Sequence, residues 1–184
     1  MSLIRITKRE PKLLFPYLRL RTQRYFTGNI TGGMGTTSFT ADNLRAWPFM
    51  VGEDTSFDSI AIEITTGVAG NARIGIYEDN GLGYPGVLLV DSGNLDTSSA
   101  ALKNAAITQT LKKHVLYWLV LVTSAAPTLR TQLGTINILG LPSTIGGTVT
   151  SIWAVSFTFA ALPNPFSASA TATTGNPPIF LKAA

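Results

Sequence analysis

The sequence predicts an all-β domain, a sandwich or a barrel, that follows an extended N-terminal arm. Short apolar segments recur about every ten to fifteen residues from residue 39 onward, separated by polar or Gly-rich turns. No segment carries a convincing helical stripe, and the best helix candidate, residues 98–104, spans barely two turns. The first 25 residues have neither a helical nor a strand period, and Pro11 and Pro16 interrupt any helix there.

The composition limits the class of protein. The chain has 184 residues, 45% apolar and only 13% charged, whereas roughly 25% charged residues is usual. This length and composition predict one folded domain with a sizeable core and exclude a disordered chain. Cysteine does not occur, which excludes disulfides, thiolate catalysis and cysteine-ligated zinc. The longest apolar run, residues 115–122, is much shorter than the ~20 residues of a membrane-spanning helix, so no membrane span is expected.

Charge divides the chain into three parts. Residues 1–25 hold seven of the 14 basic residues and one acid, residues 26–96 hold the other nine acids, and residues 97–184 hold five basic residues and no acid. The net charge of +4 gives little colloidal repulsion for a chain of this size. The acid-free final part favours contact with other protein, so a solvated monomer is the less favoured reading.

Residues 1–25 are interpreted as a basic arm that anchors the domain by laying side chains into the surface of another protein. Its basic residues alternate irregularly with large apolar ones. An alternative is a terminus that wraps its own domain. The residues expected to dock are Arg5, Lys8, Arg9, Lys12, Leu14, Phe15, Leu18, Arg19, Arg21 and Arg24.

Residues 26–38 are interpreted as a Gly-rich linker, and residues 39–184 as the β domain. The glycines between Gly28 and Gly35 give the backbone the freedom that a joint needs. A phosphate-binding loop is disfavoured, because no lysine follows, no clear strand precedes and no helical pattern comes after.

The strands of the β domain are predicted from alternation and from short buried runs. Ile60, Ile62 and Ile64 alternate with polar or small residues, and residues 73–77 repeat this pattern, with residues 66–71 as a link of hairpin length. Further strands are predicted at residues 45–51, 87–90, 105–109, 115–122, 148–159 and 179–182.

Two of these segments are apolar on both faces. Residues 115–122 contain no polar side chain, and residues 151–159 carry five large apolar ones. An antiparallel strand with two apolar faces must be covered on both sides, by a loop, the arm or a second subunit. Two such strands in a small chain favour an oligomer.

No set of residues predicts catalysis, so no catalytic residue and no cofactor is expected. His114 is the only histidine and follows two lysines, whose positive charge disfavours its protonation. No Gly-x-Ser-x-Gly nucleophile elbow occurs. Asp54 with Asp58, or Glu78 with Asp79, could pair as glycosidase carboxylates, but all four fall in turns or at strand edges, where solvated roles are commoner.

The long turn 78–86 is the candidate receptor loop, with Asp79, Asn80 and Tyr84 as its candidate contact residues. Its carboxylate and amide oxygens would suit a hard cation. An Asx-type turn with Gly81 at positive φ explains the same residues without a metal and is favoured, so no metal ligand is assigned. Tyr84 is the one aromatic expected to be exposed. The tryptophans, which are expected in the core, are Trp47, Trp118 and Trp153.

Six short motifs together resemble one known module: Leu44-Arg45-Ala46-Trp47-Pro48-Phe49, Phe57-Asp58-Ser59-Ile60, Ala72-Arg73-Ile74-Gly75-Ile76-Tyr77, Gly83-Tyr84-Pro85-Gly86, Tyr117-Trp118-Leu119 and Pro127-Thr128-Leu129-Arg130. The module recurs in tail-fibre, receptor-binding and minor structural proteins of tailed-bacteriophage virions. The resemblance covers residues 39–130 and extends weakly to the end of the chain. It implies a jelly-roll-like β-sandwich, usually trimeric and without a catalytic site; the repetitive shaft of long fibre proteins is missing.

The combined reading is a non-enzymatic structural protein of a tailed-phage virion, in the tail, neck or head surface. It is expected to be made in the host cytoplasm, to form a homotrimer and to dock on other virion proteins by its arm. One alternative is a module that recognises host-surface glycan through residues 78–86. Another is a small jelly-roll capsid protein whose arm neutralises packaged nucleic acid. Nucleic acid is not the expected partner, because seven basic residues are few for that role and the interspersed Leu and Phe suit a protein groove.

Overall fold

In the computed structural model, the chain forms two antiparallel β-sheets packed against each other. The structure describes residues 21–28, 32–134, 138–140 and 150–184. Within these ranges no helix is long and apolar enough to cross a membrane. The strands in chain order are β1 (Tyr25–Phe26), β2 (Met34–Ser38), β3 (Asn43–Phe49), β4 (Thr55–Thr66), β5 (Asn71–Asp79), β6 (Pro85–Asp91), β7 (Leu95–Asp96), β8 (Ala101–Leu111), β9 (Tyr117–Thr123), β10 (Thr128–Gln132), β11 (Ile152–Ser156), β12 (Thr171–Thr173) and β13 (Ile179–Ala183).

The strands alternate between the two sheets along much of the chain. Sheet A has the order β1-β13-β4-β10-β2, with β8 paired along the other edge of β4. Sheet B has the order β12-β11-β3-β9-β5-β6, with β7 paired to β5. From β2 to β5 and again from β7 to β11, each connection crosses from one sheet to the other. This is the connectivity of a jelly-roll-like sandwich, and the predicted all-β fold class is confirmed.

An inner core fills the space between the sheets. The predicted alternation in β4 places Ile60, Ile62 and Ile64 on the face that looks toward sheet B, and all three are buried. Ile74 and Ile76 of β5 face them from the other side, in the same cluster. The period-2 patterns in the sequence therefore mark the two sides of one core.

An outer core lies on the far face of sheet B, where the central strand β9 is apolar on both sides. Tyr117, Leu119 and Leu121 point into the inner core, whereas Trp118 and Val120 belong to the outer cluster. The chain itself supplies the cover on the outer side. Residues 157–170, which we call the covering segment, pack there through Leu162 and Phe166 in particular. The outer face of β9 is therefore covered by a loop of the same chain, and covering it does not require a second subunit.

Direct contacts hold the covering segment against sheet B. Tyr77 donates its hydroxyl proton to the carbonyl of Pro163 over 2.5 Å, and the amide of Leu162 donates to Asp91 over 3.1 Å. Close approach also needs Gly75, because a Cβ at that position would stand 2.4 Å from Cδ1 of Leu162. These contacts join the segment to the middle and edge of the sheet.

The predicted hairpin over residues 66–71 is wrong. β4 pairs within sheet A and β5 within sheet B, so residues 66–71 carry the chain from one sheet to the other. The physical reason is that both strands have one strongly apolar face. Placing them in opposite sheets lets these two faces meet across the inner core, which a hairpin in one sheet would prevent.

Residues 98–104, the best helix candidate, form no helix, which agrees with the lack of a convincing helical stripe in the sequence. Ala101 begins β8, which contains the predicted strand 105–109, and nine residue pairs join β8 to β4. Ala and Leu favour a helix locally. Pairing with the long edge of β4, together with the inward packing of Ala105 and Ile107, outweighs that preference.

The boundaries of the arm and linker differ from those expected from the sequence. Gln23 donates its amide to the carbonyl of Ala183 over 2.8 Å, and β1 pairs Tyr25 with Lys182 and Phe26 with Leu181. Residues 34–38, assigned to the linker, form β2 and pair with β10. The glycines near β2 lowered its strand signal, whereas the polar threonines of β2 suit a partly exposed edge strand.

The contact between Tyr77 and the covering segment predicts a specific response to alkaline pH. Burial, and secondarily the charge of Asp91, raises the pKa of the Tyr77 phenol, whereas an unfolded tyrosine titrates near pH 10. The folded state therefore holds this proton more tightly, and this contribution to stability is lost as pH rises above about 10. Tyr77→Phe should remove that part of the alkaline decline and lower the free energy of unfolding at pH 7 by about 1–2 kcal/mol, since the Pro163 carbonyl loses its donor.

Urea unfolding at pH 7 and near pH 10.5 measures both effects. Tyr25→Phe is the matched control, because Tyr25 is 39% exposed and should change stability by less than about 0.5 kcal/mol. An alkaline decline of the same size in Tyr77→Phe as in the unmodified chain would contradict the prediction.

Candidate functional site

Asp79 organises the predicted receptor loop from inside. Its Oδ2 accepts the amides of Gly81 (2.8 Å) and Gly83 (3.2 Å), and its Oδ1 accepts Nε1 of the buried Trp118 (2.8 Å). Oδ1 of Asn80 accepts the amide of Leu82 over 2.9 Å. Both glycines have positive φ, so the favoured Asx-type turn with Gly81 in the left-handed region is confirmed. The loop uses the carboxylate of Asp79 to bind its own backbone.

Tyr84 is half-buried, so its predicted exposure is wrong. Its ring lies against Trp153, with centroids 4.7 Å apart, and against the ring of Phe166 at 5.9 Å. The hydroxyl of Tyr84 donates to the carbonyl of Ser167 and accepts the amide of Ala170 over 3.1 Å. The aromatic ring gains burial against the covering segment, which local sequence around residue 84 does not reveal.

An open cleft lies between the receptor loop and the covering segment. Its volume is about 540 Å³, within the roughly 300–1,000 Å³ of small-molecule sites. Asn80 supplies the polar side chain of the wall, and Leu82 is 86% exposed at the rim. The residues that line the cleft are Asn80, Leu82, Tyr84, Pro85, Gly86, Trp153, Pro165, Phe166 and Ala168.

Sequence reasoning missed part of this cleft. Trp47 and Trp118 are fully buried as predicted, but Trp153 is only partly buried and donates Nε1 to the carbonyl of Gly83 over 2.8 Å. The sequence did not predict that Pro165 and Phe166 line a cleft. The one sequence feature that could have indicated this wall of the cleft is the Pro-Asn-Pro-Phe run at residues 163–166, which is typical of an ordered loop.

The four candidate acids have separate surroundings: Asp79 binds the backbone of its own loop and Trp118, Glu78 is exposed, and Asp54 and Asp58 contact different lysines. Asp54 accepts Nζ of Lys112 and the amide of Lys113, both over 2.9 Å, and these hydrogen bonds hold the pKa of its carboxyl below the usual value. Asp58 instead lies 3.4 Å from Nζ of Lys182. Within the described ranges, no group of three or more His, Asp or Glu side chains could hold a metal ion.

His114 sits in a turn and not in a cleft. It has a positive φ of 62°, its amide donates to the carbonyl of Val51 over 2.9 Å, and its side chain is exposed. The positive φ of His114 belongs to the tight turn that connects β8 to β9.

The arm residues from Arg5 to Arg19 lie outside the described residues, whereas Arg21 and Arg24 are described and exposed. The arm joins sheet A beside an apolar groove of about 220 Å³ on its outer face. Met34 and Leu102 are each 50% exposed there, and an ion pair of 3.2 Å between Arg130 and Glu63 lies among them. The lining residues are Tyr25, Met34, Glu63, Leu102, Arg130 and Phe180.

Comparison with known proteins gives no identification: no family model, no curated protein and no solved structure matches this chain. The class of protein defined by the fold is an antiparallel β-sandwich that carries an aromatic cleft and an apolar groove.

The hydrogen bonds of Asp79 predict that this residue is essential for the loop. Asp79→Ala should lower the free energy of unfolding by about 2–3 kcal/mol, because it leaves the buried indole N–H of Trp118 without an acceptor. Urea unfolding followed by tryptophan fluorescence measures the loss. Glu78→Ala, at the exposed neighbouring position, is the control and should change stability by less than about 0.5 kcal/mol.

A double-mutant cycle separates the indole bond from the backbone bonds of the loop. In a Trp118→Phe background, Asp79→Ala should cost at least about 1 kcal/mol less than in the unmodified chain. An equal cost in both backgrounds would show that the indole bond contributes nothing.

Proposed function

We propose that this protein is a non-enzymatic structural component of a tailed-phage virion, at the tail, neck or head surface, that docks on other virion proteins through residues 1–20 and the outer face of sheet A. The proposal rests on the resemblance of residues 39–130 to phage virion modules and on the charge of the arm. In this proposal the protein is made in the host cytoplasm and is then assembled into the virion.

The attachment of the arm to sheet A is the observation that carries this proposal. The amide of Gln23 donates to the carbonyl of Ala183 over 2.8 Å, and the amide of Ala183 donates to the carbonyl of Arg24 over 3.1 Å. The chain is therefore attached to β13 from Gln23 onward. Arg21 and Arg24 are exposed, and neither forms an ion pair with a described carboxylate. Two cations at the exit point therefore face solvent and are available to an acidic partner.

The apolar groove beside β1 extends the same surface. Tyr25 lines it next to the exit of the arm, and Met34 and Leu102 expose large apolar side chains there. A partner that combines an acidic rim with apolar side chains would match both the groove and the basic, Leu- and Phe-containing arm. The partner class is thus a virion protein with an acidic, partly apolar docking face.

The homotrimer remains part of the proposal on two grounds. The last 88 residues contain no acid, and β8 pairs only with β4 among the described strands. An edge of eleven residues with free backbone groups is a ready site for pairing with another copy.

Deletion of residues 1–20 tests the docking. The shortened chain keeps Gln23 and β1, so it should melt as cooperatively as the full chain. In cells that produce the phage encoding this protein, the full chain should co-purify with particles on a density gradient, and the shortened chain should be reduced at least about tenfold by mass spectrometry. Incorporation of the shortened chain at the level of the full chain, or absence of the full chain from particles, would overturn the proposal.

Two matched variants separate the contributions within the arm. One replaces Leu14, Phe15 and Leu18 by Ser and keeps every charge, and the other replaces the basic residues by Gln and keeps the apolar side chains. Loss in the first variant supports apolar docking, worth about 1.5–3 kcal/mol for each fully buried side chain. If only the second variant fails to incorporate, and added salt weakens the docking of the full chain, the docking is electrostatic. The basic residues replaced are Arg5, Lys8, Arg9, Lys12 and Arg19.

A second candidate function, recognition of host-surface glycan, is favoured by the cleft. Tyr84 and Trp153 offer aromatic surface for the apolar face of a sugar ring, and Asn80 offers a polar group at the edge. In this arrangement Asp79 positions the loop and does not touch the ligand. Binding of a neutral sugar that disturbs the amides of residues 80–86 and 165–168, and that Trp153→Ala removes, would support it.

A further inference from the structure

We infer that Arg45 is the anchor of a second binding site, which takes the carboxylate of an acidic sugar. This site lies on the inner-facing side of sheet B, at the β3-β11-β12 edge. It differs from the aromatic cleft, whose residue Trp153 points to the opposite side of the sheet. The Arg45 site depends neither on the virion docking nor on glycan binding in the aromatic cleft.

The site begins with an arginine held in place by the protein. Nε of Arg45 donates to Oδ1 of Asn43 over 2.8 Å, and the guanidinium carbon lies 5.5 Å from the ring centroid of Phe39. These two contacts fix the plane of the guanidinium. They leave its two terminal nitrogens as donors, in the fork that matches a carboxylate.

No carboxylate of the described residues neutralises this arginine. Every ion pair there involves other cations, and the nearest acid in sequence, Asp42, accepts the amide of Phe159 over 2.7 Å. Residues 97–184, which supply most of the surrounding wall, contain no acid at all. Burial lowers the pKa of the Arg45 guanidinium, yet an arginine keeps its charge at neutral pH. A half-buried cation without a counter-ion favours an anionic ligand.

The strand register builds a trough in front of Arg45. Arg45 pairs with Ala154, and Ala154 pairs with Thr171, so the three residues form a row across β3, β11 and β12. Neighbouring strands are about 4.8 Å apart, which places Thr171 about 10 Å from Arg45 in the backbone. The small side chain of Ala154 lies between them and keeps the floor low. The concavity measures about 530 Å³.

The remaining wall is rich in hydroxyl groups. The concavity is also lined by the apolar Val155 and by five hydroxyl-bearing residues, which are Ser156, Ser169, Thr171, Thr173 and Thr174. A hydroxyl both donates and accepts hydrogen bonds, so this wall is complementary to the hydroxyls of a sugar. One cation beside several hydroxyls matches a monoanion with a polyol body better than an inorganic dianion. D-Glucuronate carries both features and is the probe of choice.

A titration of the full ¹⁵N-labelled chain with sodium D-glucuronate at constant ionic strength tests the inference. Amide shifts should appear at residues 43–45, 154–156 and 171–174, with a Kd on the order of 1 mM. D-Glucose, which lacks the carboxylate, and acetate, which lacks the hydroxyls, should each bind at least about tenfold more weakly. The same spectra report that each variant is folded.

Three variants locate the interaction. Arg45→Gln should weaken D-glucuronate at least about tenfold, and Ala154→Leu should block the trough while the cation remains. Lys113→Gln, which removes a positive charge from the exposed turn between β8 and β9, is the control and should leave the affinity unchanged.

Three results would overturn the inference. One is an affinity that Arg45→Gln leaves intact. Another is acetate binding as tightly as D-glucuronate, which would indicate a carboxylate of a protein partner. The last is a set of shifts confined to residues 80–86 and 165–168, which would assign the sugar to the aromatic cleft and support the glycan function while excluding the Arg45 site.

Discussion

Burial of both faces of β9 is the constraint on which the rest of the structure depends. Trp118, Val120 and Val122 cannot face water at the centre of sheet B, because their exposure would cost about 1.5–3 kcal/mol for each large side chain. Sheet A covers one face of the strand and residues 157–170 cover the other. The molecule therefore has three layers, of which the third is an irregular segment and not a sheet.

The third layer also creates the aromatic cleft. Phe166 and the backbone of residues 167–170 hold Tyr84 in place, and the receptor loop in turn accepts Trp153 through the carbonyl of Gly83. Asp79 connects this loop to the buried indole of Trp118. The same contacts therefore cover the central strand and hold both walls of the cleft in place.

The candidate binding surfaces lie on different sheets. The outer face of sheet A carries the exit of the basic arm and an apolar groove, and sheet A also ends at the edge of β8 that no described strand pairs. The far edge of sheet B carries the cleft on one side and the Arg45 concavity on the other. Under the proposed function, attachment and assembly use sheet A, while sheet B presents its ligand sites away from them. Under that proposal, the separation would let one domain dock and bind a ligand at the same time.

The period-2 alternation at Ile60, Ile62 and Ile64 and the apolar run at residues 115–122 were enough to predict the strands and the all-β class, because strand formation follows local patterning. The Asx turn at Asp79 was predictable for the same reason, since its bonds span only a few residues. Strand partners, the role of residues 66–71 and the extension of the predicted strand 105–109 back to Ala101 were not, because each depends on residues far along the chain. The burial of Tyr84, the cleft at Trp153 and the trough at Arg45 likewise needed the tertiary structure, which brings residues about 70–130 positions apart into contact through non-local packing.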